Sequence, residues 1–246
     1  DELDTELTAK LAALRTVESL GGKPIPTGTY TLMTEPEVTA SLADIIGDLF
    51  CAPEIHKGRS MMADRLGSAV ASSCVTLVDD GRIPWKAGTG SWDSEGVPTG
   101  RTVLIKDGIA SSYMYNLQYA LKDNVASTGN AYRGLSSLPD VGASNLILEA
   151  GTESPESMRG RVKKGLYVTE FMGLHTIDPV SGDFSIGAKG LLIENGELVG
   201  AVSGVTIASN LMDFIKKISC VGSDLKFFGS TAAPTMVVEN VVIAGE

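Results

Sequence analysis

The sequence predicts an α+β fold, a largely antiparallel β-sheet built of hairpins with several flanking helices. Two kinds of observation carry this. β-Branched or Leu-rich runs lead into Asp80-Gly81, Asp107-Gly108 and Asn195-Gly196. A type I′ hairpin turn needs positive φ at both central positions, and these dipeptides supply it. Helical spacing of apolar residues, by contrast, is confined to segments that frame the hairpins. No linker or low-complexity stretch interrupts the chain, so one domain over residues 1–246 is the simpler organisation.

Leu3, Leu7, Leu11, Leu14 and Val17 recur at helical spacing ahead of Gly21-Gly22, which predicts an opening helix over residues 3–20. A short strand is expected over 30–33. Thr34-Glu35-Pro36-Glu37 then reads as a helix start, with Thr34 as cap, Pro36 at an early helical position and Glu37 three residues after the cap. Val38, Leu42, Ile45, Ile46 and Leu49 carry the apolar face of that helix. Runs 75–78, 102–105 and 191–193 are the strands that enter the three turns, Asp79 and Asp80 belonging to the first turn. Ser154-Pro155-Glu156 starts another helix, expected to end at Gly165. A further helix is expected over 208–219, with Leu211, Phe214, Ile215 and Ile218 on one face, and a strand over 235–244 closes the chain.

Bulk properties narrow function by exclusion. Hydrophobic residues make up 43% of the 246 and charged residues 20%, ordinary for a globular chain long enough to bury a real core. A formal net charge of −10 has the wrong sign for a nucleic-acid footprint, which needs a basic patch. No apolar run approaches the length that spans a bilayer, and no signal peptide opens the chain, so no membrane partner is expected. Cys51, Cys74 and Cys220 stand at unrelated spacings, unlike a disulfide framework or a zinc knuckle. That favours a reducing, cytoplasmic setting. The chain opens on Asp1 rather than Met, so its numbering is expected to begin within a longer protein.

Few residues offer chemistry. His56 lies in a polar stretch and reads as surface. His175, in the turn-like segment 173–179, could contact a peptide or a partner, although a loop imidazole bonded to backbone is the commoner case. Cys51 and His56 have Pro53 between them and no oxyanion-hole signature beside them, a weak nucleophilic pair. Cys74 and Cys220 sit among apolar neighbours and read as small core residues. Asp79-Asp80 and Asp93/Glu95 could do acid–base work, but both lie beside Gly-containing turns, where Asp is favoured for bonding local backbone. A G-x-S-x-G nucleophile motif is absent, and no phosphate-binding loop is present.

A polar cluster remains, Ser127-Thr128-Gly129-Asn130-Ala131-Tyr132-Arg133, followed by Ser144-Asn145. A Gly between hydroxyl and amide side chains lets backbone and polar groups face a ligand together. Thr128, Gly129, Asn130, Arg133 and Asn145, with His175, are therefore the candidate peptide-contacting residues. Arg133 would hold a carboxylate or a carbonyl of an extended peptide added as a strand. A structural turn whose Asn and Thr satisfy themselves fits the same residues equally well.

Seven segments carry a resemblance, and they fall in one order along the chain. They are DSEGVPTGRTVLIKDGI (93–109), STGNAYR (127–133), GLYVTEFMG (165–173), SGDFSIGAKG (181–190), the IENGE hairpin (193–197), VTIASNL (205–211) and VGSDL (221–225). With them the chain resembles the C-terminal domain of the TldD/PmbA family, whose members are known as modulators of DNA gyrase or as zinc-dependent peptidases. In that family a second domain of comparable size precedes this one, and none of it is recognised here. The catalytic branch carries H-E-x-x-x-H on the helix corresponding to residues 36–49, the two His and one Glu that a zincin-type site requires. Here Pro36 and Ser41 stand at the histidine positions and Glu37 at the Glu, and no His occurs in residues 1–47. The branch also uses a Cys near the end of the domain, and none follows Leu225. Glu37 alone reads more simply as a capping-box residue.

The resemblance thus points to the PmbA (TldE) side of the family, whose members lack the metal motif. It implies a subunit with no catalytic residue, no metal ligand and no cofactor of its own, paired with a TldD-type catalytic subunit that supplies zinc. The pair would cleave small or unfolded peptides, with this chain shaping the cavity. An independent hydrolase with an unrecognised site stays open, as does a structural or regulatory homo-oligomer such as a homodimer.

Overall fold

A computed structural model of the chain describes residues 5–246, apart from the side chains of Leu7 and Leu11. Helix α1 (Thr5–Glu18) leads to strand β1 (Gly28–Thr34), helices α2 (Pro36–Asp48) and α3 (Ala52–His56), and strands β2 (Leu77–Asp80), β3 (Arg101–Lys106) and β4 (Ile109–Ala110). Helix α4 (Leu117–Asp123), short strands β5 (Ala131–Tyr132), β6 (Asp140–Val141) and β7 (Leu146–Leu148), and helix α5 (Pro155–Gly160) follow. The remainder is mostly strand: β8 (Lys164–Met172), β9 (Asp183–Glu194), β10 (Glu197–Asn210), helix α6 (Leu211–Lys216), then β11 (Ile218–Val221), β12 (Lys226–Phe228), β13 (Thr231–Ala233) and β14 (Met236–Ala244). The fold is α+β.

Two six-stranded sheets form the body. The first runs β1-β8-β9-β10-β14-β11, and β14 also pairs with β1, so five of its strands close into a ring with β11 as an outlying edge. The second runs β12-β13-β7-β2-β3-β4, and β5 and β6 form a separate pair. Pairing is antiparallel except for β1 with β8 and β13 with β7. Two of the three expected turns are tight hairpins: Asp107 and Gly108 take φ of 49° and 80°, Asn195 and Gly196 take 51° and 84°. The first differs. Asp79 and Asp80 belong to β2 and pair with Thr102 and Arg101 of β3, after an excursion over residues 81–100.

Alternation puts Leu32, Leu166, Ile186, Val238 and Ile243 into the main core, with Val38, Leu42, Ala43 and Ile46 of α2. Helix α2 packs against β7, β12 and β13 of the second sheet and against β8 of the first. Neighbouring residues on the opposite strand faces, Met33, Ile193 and Val237, join Met158 and Val162 in a second apolar cluster under α5.

Several expectations change. Leu3 lies outside the described residues, and Leu14 and Val17 are 56% and 65% exposed, so α1 shows no buried stripe there. What ties it down is Arg15, whose guanidinium reaches Glu35 at 3.1 Å and Glu37 at 3.0 Å. Thr34 is not the cap of α2: it ends β1, fully buried, with its hydroxyl 2.7 Å from that of Thr39. Glu35 is the cap, in extended conformation and without a side-chain cap bond. Helix α5 stops at Gly160, because residues from Lys164 onward pair as β8 with β1 and β9. Likewise 205–210 continue β10 to the Asn210–Asp183 pair, so α6 starts only at Leu211 and Ile218 falls in β11. Cys51 is the buried thiol, whereas Cys74 is exposed and Cys220 half-buried.

The β8–β9 pairing gives a test. A Cβ at Gly190 would lie 1.8 Å from the carbonyl oxygen of Tyr167, whereas one at Gly200 would meet nothing within 4 Å. Gly190→Ala is expected to lower unfolding free energy by about 3 kcal/mol through overpacking. Gly200→Ala should leave the urea midpoint within the range of a neutral surface change.

Candidate functional site

The polar cluster read from the sequence folds around one carboxylate. Asp79, at the end of β2, is only 1% exposed. Its Oδ2 accepts a hydrogen bond from Nδ2 of Asn130 at 2.6 Å, and its Oδ1 accepts from the backbone N–H of Ser144 at 2.6 Å. Asn130, also buried, donates further to the carbonyl of Gly142 at 3.1 Å and accepts from Oγ1 of Thr128 at 2.6 Å. The end of β2, loop 127–130 and loop 142–145 thus meet on a single buried charge. Burial pushes the Asp79 carboxyl up to about 6, against the opposing effect of hydrogen bonds from Asn130 and Ser144.

Asn145, fully buried, does similar work one residue further on. Its Oδ1 accepts from Gly88 N–H at 2.9 Å, and its Nδ2 donates to the carbonyl of Asp80 at 2.9 Å. Asp93 organises the neighbouring loop as the turn reading expects: its Oδ1 accepts from Glu95 and Val97 N–H, each at 2.9 Å, and its Oδ2 from Ala131 N–H at 3.1 Å.

An open cleft of about 570 Å³ lies against this junction. Gly129 and Asn130 line it, together with Trp92 and Tyr132, which are 64% and 55% exposed. Of the sequence candidates, then, Thr128, Gly129, Asn130 and Asn145 come together, the last two with their amides committed to neighbouring loops. Arg133 is exposed just past β5 and has no hydrogen bond or ion pair with another described residue; it does not line the cleft. Nor does His175, exposed on a single 3₁₀ turn, Leu174–Thr176. Sequence reasoning missed Asp79 as the junction and Trp92 and Tyr132 as the aromatic rim. The available signal was that Asp79 directly continues an apolar run, Val75 to Val78.

The other chemical suspects disperse. Burial, reinforced by Asp48 and Glu54, raises the Cys51 thiol far from thiolate character. His56 is engaged by Asp123, Nε2 to Oδ1 at 2.7 Å, and leans on the ring of Tyr119. At the start of α2, Pro36 offers no donor atom, the Glu37 carboxylate is held by Arg15 at 3.0 Å, and Ser41 Oγ donates to the Glu37 carbonyl at 3.0 Å. That donor set does not fit zinc, which takes His, Cys or carboxylate ligands. Among the described residues no three His, Cys, Asp or Glu converge as a metal site elsewhere.

The junction makes two measurable demands. Asn130→Ala strips a buried carboxylate of a hydrogen-bond partner and is expected to destabilise the chain by about 3 kcal/mol. Separately, folded Asp79 holds a proton at pH values where the unfolded chain, with its carboxyl near 3.8, has released it. The Asp79 contribution to stability therefore falls as pH rises from about 4 through about 6, and is flat above. Urea unfolding across that window should lose this component of its pH slope in Asp79→Asn; an unchanged slope would place the titration elsewhere.

Comparison with known proteins converges on one family. Residues 27–245 match the family model described as the PmbA/TldA metallopeptidase C-terminal domain. A solved structure of a candidate modulator of a DNA gyrase from Thermotoga maritima MSB8 superposes with a TM-score of 0.92 at 31% identity, over 99% of this chain and 56% of that one. TldE from Thermococcus kodakarensis superposes with a TM-score of 0.91 at 28% identity, over 99% of this chain and 56% of that one. The metalloprotease PmbA of Escherichia coli O157:H7 is 29% identical over 234 residues, which are 95% of this chain and 50% of that protein. The chain spans about half the length of the curated relatives it matches. With the family model covering nearly all of it and the fold shared throughout, the chain belongs to the PmbA/TldD family.

Proposed function

We propose that this chain is a PmbA/TldE-type subunit of a heteromeric metallopeptidase, shaping the peptide cavity while a TldD-type partner supplies the zinc. The observation that carries the reading is the start of α2. The positions that hold two histidines and a glutamate in the catalytic branch are Pro36, Ser41 and Glu37 here, and the one carboxylate among them is tied to Arg15. A chamber closed by two subunits needs one metal, and the second subunit can contribute walls and backbone against which a peptide lies. The open cleft beside Asp79 supports that role, since its lining is mostly small and uncharged residues, with Asp93 the one charged side chain. The likeness to TldE supports the branch. A reducing, cytoplasmic setting accords with three free cysteines, and no helix among the described residues is long and apolar enough to cross a membrane.

Metal content tests this directly. After incubation with zinc and desalting, the chain is expected to carry near-zero zinc by plasma mass spectrometry. Peptide cleavage should then arise only on mixing with a TldD-type subunit and should vanish with a chelator. Stoichiometric zinc on the lone chain would overturn the reading. Glu37→Ala offers a second check: it removes an exposed ion pair, so stability should fall by no more than about 1 kcal/mol and cleavage by the mixed pair should persist. A large loss of cleavage would restore Glu37 as a general base.

A further inference from the structure

We infer that the cleft beside Asp79 seats an uncharged stretch of peptide, with Trp92 and Tyr132 as its apolar contacts, and turns acidic side chains away. This rests on the reading of the chain as a cavity-shaping subunit and adds a substrate class to it. The cleft, at about 570 Å³, is within the size range of ligand sites, roughly 300–1,000 Å³. One-fifth of this chain is charged, yet Asp93 is the only charged side chain among the described residues that line the cleft. Its carboxylate is fixed in the wall by three backbone N–H groups.

An acidic side chain entering the cleft would lose water without meeting a cation, and losing hydration without a partner is costly. It would also lie near Asp93, a like charge that the wall already holds. A basic side chain finds Asp93 already bonded on both oxygens. A neutral segment meets a better match. Ser94 and Ser230 line the cleft, and their hydroxyls bond no other described residue. Gly90, where an added Cβ would meet only the Trp92 carbonyl at 3.5 Å, leaves main chain that an extended peptide can approach closely. The exposed faces of Trp92 and Tyr132 cover apolar side chains.

The chain contains two tryptophans, and Trp85 is 94% exposed, so Trp85→Phe leaves Trp92 as a reporter in the cleft without disturbing packing. That variant is titrated with an N-acetylated, C-amidated octapeptide of Gly, Ser, Ala and Leu. Matched peptides carry two central Asp or two central Lys. The expected result is a saturable change in Trp92 emission with the uncharged peptide and binding weaker by about tenfold or more with the Asp peptide. Ser94→Ala combined with Ser230→Ala should weaken the uncharged peptide severalfold while leaving the melting temperature in place. Equal binding of uncharged and Asp peptides, or tighter binding of the Lys peptide than of the uncharged one, overturns the inference and leaves the subunit reading standing. So does a silent Trp92 when the pair mixed with a TldD-type subunit cleaves the uncharged peptide. A silent Trp92 together with no cleavage of any peptide by the mixed pair removes both.

Discussion

Strand β14 has to satisfy hydrogen-bonding neighbours on both sides, and much of the architecture follows from that requirement. Met236 to Val238 lie between β1 and β11, and Ile243 and Ala244 lie next to β10, with β1 also pairing Ile243. One strand serves three partners because it bends between these halves. Asn240 takes φ of 55°, in the left-handed region that Asn tolerates, and the β1–β14 register shifts at this point. The outcome is a closed ring with one attached edge. Closure fixes which faces are inside, so adjacent residues such as Leu32 and Met33 enter different apolar clusters, one within and one beneath α5. It also delivers β1 directly into α2, whose packing against β7, β12 and β13 joins the two sheets.

The second sheet contributes the cleft by a different device, a buried charge. Loops 127–130 and 142–145 have little regular structure of their own, and a loop without a scaffold is mobile. Asp79 supplies the scaffold. Being rooted in β2, it is held by the ladder to β3 and β7, and it hands that rigidity to Asn130 and to the main chain at Ser144. Carboxylate geometry limits where those donors can sit, so the cleft wall is positioned by directional bonds rather than by apolar fit. The cost appears in the carboxyl's raised affinity for protons. A buried acid is tolerated there because its two donors offset part of the desolvation.

What was legible in the sequence divides along a physical line. Local chemistry came through: Asp107-Gly108 and Asn195-Gly196 form their turns, Ser154 caps α5, and Asp93 binds the backbone of its own turn. The family motifs came through as well, since they combine many local constraints. Long-range pairing did not. The segment 208–210 reads as the start of a helix until β9 is seen opposite it, and Lys164-Gly165 reads as the end of a helix until β1 and β9 lie alongside. The Asp79 error is of the same kind. Asp79 directly before Asp80-Gly81 reads as part of a turn by frequency, and only a partner fifty-one positions away, Asn130, shows its buried role. The polar cluster was found because Thr128, Gly129 and Asn130 are neighbours in sequence. Its relation to Trp92 was not, because that loop arrives from elsewhere in the chain.

The start of α2 explains how a shared fold can carry different chemistry. Core positions of the helix are Val38, Leu42, Ala43 and Ile46, and these hold the two sheets together. Glu37 and Ser41 face solvent, and Pro36 suits the first helical turn, where its missing N–H is not needed. Exchanging residues at 37 and 41 therefore leaves the packing face intact, and Pro at 36 favours the helix start. Two of the three motif positions, 37 and 41, thus lie off the face of the helix that holds the fold together. Selection can act on them without disturbing that face, so overall similarity to a metallopeptidase is strong evidence about architecture and weak evidence about the metal. What the helix does retain is charge: Glu35 and Glu37 bridge through Arg15 to α1, and burial raises the Glu35 carboxyl in spite of that cation. At the start of α2 a carboxylate pair is thus bridged by one cation of the opening helix, Arg15.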